Sequence, residues 1–318
     1  MKWITTILIL CVAVLTGLGM VMLYSSSMNM EMNRSAVGAH YLISQLASFA
    51  VGLLGCVAAA CFDYRRWKKF APWLLGFSVL LLGVVFAPRF GISRNGAHRW
   101  VGVPGLPHFQ PSELAKLALI LFLAAYAERY HRRMAEFGRG LVIPGVVIAA
   151  TLALIFIEPD RGCTILLAAV SGAMLLLAGV RVIFFIPPAL GGVAFLAYSI
   201  LHDPLRMKRI MAWVHPELSK EGTGYQAWQA MIALGSGGLD GLGLGNGRQK
   251  LGFVPEHHTD FIFSIIGEEL GLIATLGVVL LFIILIFCGC YIARRSSDIF
   301  GSLLATGITF MIGLQAFI

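Results

Sequence analysis

Nine nearly unbroken apolar stretches, separated by short polar segments, set the pattern of the chain. They cover 4–24, 41–61, 71–87, 114–127, 141–157, 163–180, 182–201, 261–293 and 299–318. A helix crossing a bilayer needs about 20 mostly apolar residues. The pattern therefore predicts an all-α polytopic membrane protein, one integral-membrane domain over 1–318, with about nine spans. The eighth stretch is long, so its first turns stand above the bilayer or the helix runs tilted. Between the seventh and eighth lies one large segment, 202–260. The others leave no room for a separate globular domain.

Basic residues orient the spans. Arg65, Arg66, Lys68 and Lys69 follow the second span, and Arg129, Arg132, Arg133 and Arg139 follow the fourth. Arg181 follows the sixth, and Arg294 and Arg295 follow the eighth. Cytoplasmic loops collect Lys and Arg. The even-numbered loops and the N-terminus are therefore assigned to the cytoplasm, and the odd-numbered loops to the outer face. Segment 202–260 balances six basic against six acidic residues, which fits an outer loop.

Composition agrees with this class. The chain is 58% hydrophobic and 13% charged, against about half and a quarter in soluble domains. The net charge of +8 belongs to the cytoplasmic loops and does not point to nucleic acid, because no stacking platform or basic arm accompanies it. All six cysteines fall within or beside apolar runs. They read as small apolar fillers, not as a disulfide framework or a zinc set. The first apolar run is longer than the core of a signal peptide and reads as a span. The sequence stops inside an apolar run, "MIGLQAFI", which reads as a truncated chain.

The chemistry sits in the outer loops. In "DPLRMKRIMAWVHP", Met207, Ile210, Met211 and Val214 form one helical stripe, with Arg206, Lys208 and Arg209 largely off it. This is a short interfacial helix contacting membrane lipids, or a loop helix packed on the bundle. In "GYQAWQAMIALGSGG", Tyr225, Trp228 and Ile232 share a face, and Gln226 and Gln229 lie on another. The glutamines serve sugar hydroxyls or nearby backbone. Six glycines then lie between Gly237 and Gly247, ahead of Arg248 and Lys250. They allow a backbone anion nest or close packing against a lipid or a helix. Neither GxGxxG nor GxxxxGK[ST] occurs, so a nucleotide site is disfavoured.

The loop before the fourth span has a turn signal at Asn95-Gly96, then Arg99 and Trp100, suited to the headgroup level. Pro111 opens a helix, with Glu113 and Lys116 one turn apart. They form an ordinary i,i+3 pair or a functional one at the membrane edge. "EPDRGC" places Glu158, Asp160 and Arg161 in a third outer turn. A compact bundle would gather these loops into one outward polar pocket. "VPEHHTDF" then carries Glu256, His258, Thr259 and Asp260 to the lip of the eighth span. A metal reading of this cluster is weak, because His257 and His258 are adjacent and point different ways. Cations and glycine backbone suit a pyrophosphate. Trp, Tyr and Gln suit a carbohydrate. A carboxylate at a hydrophobic lip suits a general base, because partial burial raises its pKa. Together they suggest a lipid-pyrophosphate-linked sugar handled at the outer leaflet.

"NGAHRWVGV", "FQPSELAKLALILFLA", "EPDRGCTILL", "GLQAFI" and above all residues 224–273 resemble the SEDS proteins of bacterial cell-wall synthesis. "EPD" and "IGEELGLI" resemble the division members more than the elongation members. The resemblance implies a ten-span peptidoglycan glycosyltransferase of the bacterial cytoplasmic membrane, working at the division septum. It implies lipid II and the growing glycan strand as substrates. It further implies a class B penicillin-binding protein and other division proteins as partners. Asp260 matches the family's essential Asp, and Trp100, Glu113 and Lys116 match positions important for activity. Arg161 and Cys163 depart from the common form of their motif.

In the expected mechanism, Asp260 takes a proton from a sugar 4-hydroxyl, which attacks the anomeric carbon of the strand with inversion. Undecaprenyl pyrophosphate leaves, steadied by Arg99, Lys116, Arg248 or Lys250. Gln226, Glu256, His258 and Thr259 complete the expected substrate-binding set. No cofactor is called for, and assistance by a divalent cation stays open. Glu268 and Glu269 have no assigned role beyond pairing with neighbours. The alternatives are a lipid II flippase, an elongation-type polymerase or a non-enzymatic division scaffold.

Overall fold

A computed structural model describes residues 2–31, 37–86, 91–94, 97–101, 109–215, 222, 224–251 and 260–317. The helices are α1 (Lys2–Glu31), α2 (Val37–Cys61), α3 (Tyr64–Val84), α4 (Pro111–Arg129), α5 (Ile143–Ile157) and α6 (Arg161–Leu177). They continue with α7 (Ile186–Leu201), α8 (Pro204–Val214), α9 (Tyr225–Ser236), α10 (Ile262–Arg295) and α11 (Ile299–Phe317). Two short antiparallel strands, β1 (Gly91–Arg94) and β2 (Ala97–Val101), precede α4. They are an addition to the all-helical expectation. The Asn95-Gly96 turn signal falls between them, although these two residues lie outside those described.

Seven of the described helices are long and apolar enough to cross a bilayer by themselves. The stretches at 114–127 and 163–180 are also helical, as α4 and α6, but do not meet that standard. α6 has only 17 residues, and α4 carries Glu113, Lys116, Glu128 and Arg129 near its ends. The third span starts earlier than its apolar run. Asp63 accepts from the Arg65 N–H and caps α3, so "YRRWKK" forms the first turns of a helix and is not a loop. Asp, with a side-chain oxygen that replaces a missing helical acceptor, is a strong capping residue.

The chain divides into two compact units. One comprises residues 1–5, 48–188 and 286–318. Its core surrounds α4, which packs against α3, α5, α6 and α11. Ala115, Ala118, Ala124 and Ala127 on α4 are buried, and small residues let membrane helices approach closely. α4 faces protein on most sides, so it does not need the uniform apolarity of a lipid-exposed span.

Each end of α4 is tied by polar contacts. At the C-terminal end, Lys68 Nζ lies 2.6 Å from Glu128 and 3.7 Å from Asp298. The Tyr64 hydroxyl donates to Asp298, which also accepts from the Gly301 N–H at the start of α11. Burial pushes the Asp298 carboxyl up, but these donors with Lys68 and Arg65 hold it below its ordinary range. The three segments meeting here are ones the basic-residue pattern assigns to the cytoplasmic face. At 19 residues, α4 is about 28 Å long, close to the hydrocarbon thickness.

The second unit comprises residues 6–47 and 189–285. Met22 on α1 packs on Ile265 and Ile266 of α10, with Leu18, Ile262, Leu270 and Ala274 around them. On α8, Ile210, Met211 and Val214 are exposed. Met207, the fourth member of the stripe, is half-buried, so among the described residues the stripe is largely uncovered, which suits an interfacial helix. The eighth span is not one continuous helix. Gly271, at φ 78° and ψ −174°, breaks α10 into 262–270 and 272–295.

Candidate functional site

In the first unit the polar groups gather around the start of α4 and the turn between α5 and α6. β2 holds Arg99 and a half-buried Trp100. The Arg99 guanidinium donates to the carbonyls of Glu158 (3.2 Å) and Pro159. It also lies 3.9 Å from Asp160. Sequence reasoning offered Arg99 to a pyrophosphate; here its fork is engaged by the 158–160 turn. Gln110 Nε2 donates to Ser112 Oγ (2.9 Å) and to Asp160 (3.3 Å). Asp160 in turn caps α6, accepting from the Cys163 N–H at 3.2 Å.

One turn into α4, Lys116 Nζ stands 2.9 Å from Glu113 Oε2. The Lys116 side chain is 1% exposed and makes no hydrogen bond among the described residues, whereas Glu113 is 54% exposed. Glu158 is completely buried, and among the described residues neither carboxyl oxygen has a hydrogen-bond partner. Burial first, then the charge of Asp160, pushes it up to about 8, against a smaller opposing pull from Arg99. Glu158 is thus mostly a neutral acid at pH 7.

In the second unit the glycine-rich loop docks on the break in α10. The N–H groups of Leu242 and Gly243 donate to the Glu268 and Glu269 carbonyls, both at 2.9 Å. The Leu272 and Ile273 N–H groups donate back to the Gly238 and Leu239 carbonyls of the loop, at 3.0 and 3.4 Å. The loop therefore replaces the helical hydrogen bonds that Gly271 removes, as a broken membrane helix requires. The glycines allow close packing on a helix, one of their two expected readings.

The break turns two carboxylates toward the loop. Glu268 accepts from the backbone N–H groups of Arg248 (2.7 Å) and Gln249 (3.2 Å). Glu269 is fully buried and accepts from Lys250 Nζ (2.6 Å), Ser25 Oγ (2.6 Å) and the Gly245 N–H (3.1 Å). The loop's N–H groups do bind anions, but the anions are the protein's own. Lys250, expected at a pyrophosphate, is 1% exposed and committed to Glu269 and Ser25. Arg248 remains exposed, and Gln226 is half-buried on α9.

Asp260 lies in the turn immediately before α10 and is exposed. The partial burial expected of it is not present in this chain. Glu256, His258 and Thr259 lie outside the described residues. Among the described residues, no group of three or more His, Cys, Asp or Glu is placed to hold a metal ion.

Sequence reasoning gave Glu268 and Glu269 no role beyond pairing with neighbours, and it did not single out Ser25. The signal was present for the two acids, since carboxylates within an apolar helix demand partners. Their partners depend on the break at Gly271, which hydropathy does not report.

The fold and these sites define a class: a polytopic helical membrane protein with ionisable residues at its helix ends and on a broken helix. Comparison with known proteins gives the family. The FtsW, RodA and SpoVE family, described as cell cycle protein, matches residues 5–318. The chain is 39% identical to "Probable peptidoglycan glycosyltransferase FtsW" of Trichlorobacter lovleyi, over 98% of this chain and 81% of that one. It is 35% identical to "Stage V sporulation protein E" of Bacillus subtilis, over 98% and 85%. Among solved structures, Thermus thermophilus RodA superposes with a TM-score of 0.69 at 25% identity, covering 98% of this chain and 82% of that one. A chain from "Structural coordination of polymerization and crosslinking by a peptidoglycan synthase complex" superposes with a TM-score of 0.76 at 23% identity, covering 97% and 84%. The protein belongs to the FtsW/RodA/SpoVE family, the SEDS proteins.

Proposed function

We propose that the chain is a peptidoglycan glycosyltransferase that polymerises lipid II into glycan strands at the outer face of the cytoplasmic membrane during cell division. The observation that carries this reading is the similarity over 98% of the chain to a relative named as a peptidoglycan glycosyltransferase, FtsW. The position of Asp260 supports it: an exposed carboxylate just before α10.

In this mechanism Asp260 removes the proton from the 4-hydroxyl of one sugar. The freed oxygen attacks the anomeric carbon of the growing strand, and undecaprenyl pyrophosphate leaves from the opposite face. A single displacement inverts the anomeric centre. It needs one base, because pyrophosphate leaves without the protonation that an ordinary glycosidic oxygen requires. The exposed Arg248 is available to the leaving anion. Lys116 with Glu113, Trp100 and Gln226 serve substrate binding, and a class B penicillin-binding protein crosslinks the product.

The test supplies lipid II to the full-length protein with its class B partner and resolves the polymer on a gel, wild type beside Asp260→Asn. Polymer from wild type alone is expected. Equal polymer from both removes Asp260 as base. No polymer from either folded protein moves the assignment to lipid II translocation.

A further inference from the structure

We propose that the buried Lys250–Glu269 pair, with Ser25 and the Gly245 N–H, is a positioning element that fixes the helical segment of α10 that Asp260 immediately precedes. It is not a ligand site for the leaving pyrophosphate. This rests on the reading of Asp260 as the base.

The network is closed. Lys250 has three N–H donors and three acceptors: Glu269 Oε1 (2.6 Å), Ser25 Oγ (3.2 Å) and the Ser25 carbonyl (3.3 Å). The Ser25 hydroxyl donates a hydrogen bond to Glu269 Oε2 at 2.6 Å, and the Gly245 N–H donates to the same oxygen. Among the described residues these acceptors take all three donors of the ammonium. The side chains of Lys250 and Glu269 are 1% and 0% exposed. An anion could reach Lys250 only by displacing Glu269 and leaving it buried without its counter-charge, which is strongly unfavourable.

The position of the pair explains its use. Lys250 precedes Asp260 by ten residues, and Glu269 follows it by nine. Arg248 and Gln249 are held by Glu268 on the same helical segment whose head follows Asp260. Residues 248–250 are therefore pinned to the helical segment that begins two residues after Asp260. Ser25 ties both to α1. A base must sit within hydrogen-bond reach of its proton, and small displacements from residues remote from the chemistry are costly in rate. Gly247 belongs to the same device: a Cβ there would stand 3.0 Å from both Glu268 Oε2 and Glu269 Oε1.

The deciding variant is Lys250→Met/Glu269→Leu. It removes both charges together and fills the site with apolar volume, an exchange that buried pairs commonly tolerate. Lipid II polymerisation is measured against substrate concentration in the full-length protein with its class B partner. Positioning predicts a fall of roughly 10- to 100-fold in kcat with half-saturation within about 3-fold of wild type. Unchanged kcat overturns the proposal. So does raised half-saturation at unchanged kcat, which is the signature of a lost pyrophosphate contact. If the double variant does not accumulate, Ser25→Ala removes one partner of each charge and is read in the same way, with a fall of about 3- to 10-fold in kcat. Hydrogen exchange of residues 245–251 is followed without substrate, and faster exchange in the variant is expected. Identical protection overturns the pinning even where wild type forms no polymer, a result that would sink the polymerase reading by itself.

Discussion

Gly271 and Gly241 meet with no room for a side chain on either. A Cβ on Gly271 would stand 2.5 Å from the Gly241 nitrogen and would overlap the Leu239 carbonyl oxygen. A Cβ on Gly241 would overlap the Glu269 carbonyl oxygen. Both residues also have positive φ, at 78° and 81°, where an L side chain is strained. Gly271→Ala and Gly241→Ala should each lower stability by about 2–4 kcal/mol, combining backbone strain with overpacking. Thermal unfolding in detergent checks this. Gly277→Ala is the control: it lies in the same helix, and an added methyl there would meet nothing within 4 Å. Its melting temperature should hold or rise slightly.

Glu158 should make stability fall as pH rises. Its folded pKa of about 8 lies above its ordinary value of 4.5. Between those values the folded chain holds a proton that the unfolded chain has released. The stability is fully present below the unfolded pKa and is lost as pH rises through the folded one. Glu158→Gln keeps a neutral side chain at every pH. It should match wild type near pH 4 and exceed it near pH 8.5, by on the order of a few kcal/mol. Melting temperatures across that range decide the matter. A difference that does not change with pH would mean that Glu158 is not held neutral.

The apolar runs made most helices legible, because lipid demands apolar side chains along every exposed span. The start of α3 was not legible as helix, because Arg65, Arg66, Lys68 and Lys69 read as a loop. Yet Lys and Arg are good helix formers, and Asp63 supplies the cap. The break in α10 was hidden for a different reason. Gly is common in membrane helices, and Gly271 leaves the helical region only because a loop some 30 residues earlier replaces its hydrogen bonds. The family block around Asp260 was legible as a motif. The partners of Glu268 and Glu269 were not, since they follow from the docked loop and not from spacing along the helix.

The Lys116–Glu113 pair should separate folding from activity. On a solvated helix an i,i+3 ion pair contributes only a few tenths of a kcal/mol. Here the ammonium is buried, with no hydrogen bond among the described residues, while its carboxylate partner is exposed. Lys116→Met removes the costly charge and leaves Glu113 in solvent, so the melting temperature should hold or rise. Glu113→Ala leaves the ammonium buried alone and should cost roughly 1–3 kcal/mol. If the charge at 116 serves the anionic substrate, Lys116→Met should still lose at least about 10-fold in polymerisation, since charge-assisted contacts are each worth about 1.5–3 kcal/mol. A Lys116→Met protein that is less stable than wild type but polymerises at the wild-type rate would make the pair a structural brace and remove Lys116 from substrate binding.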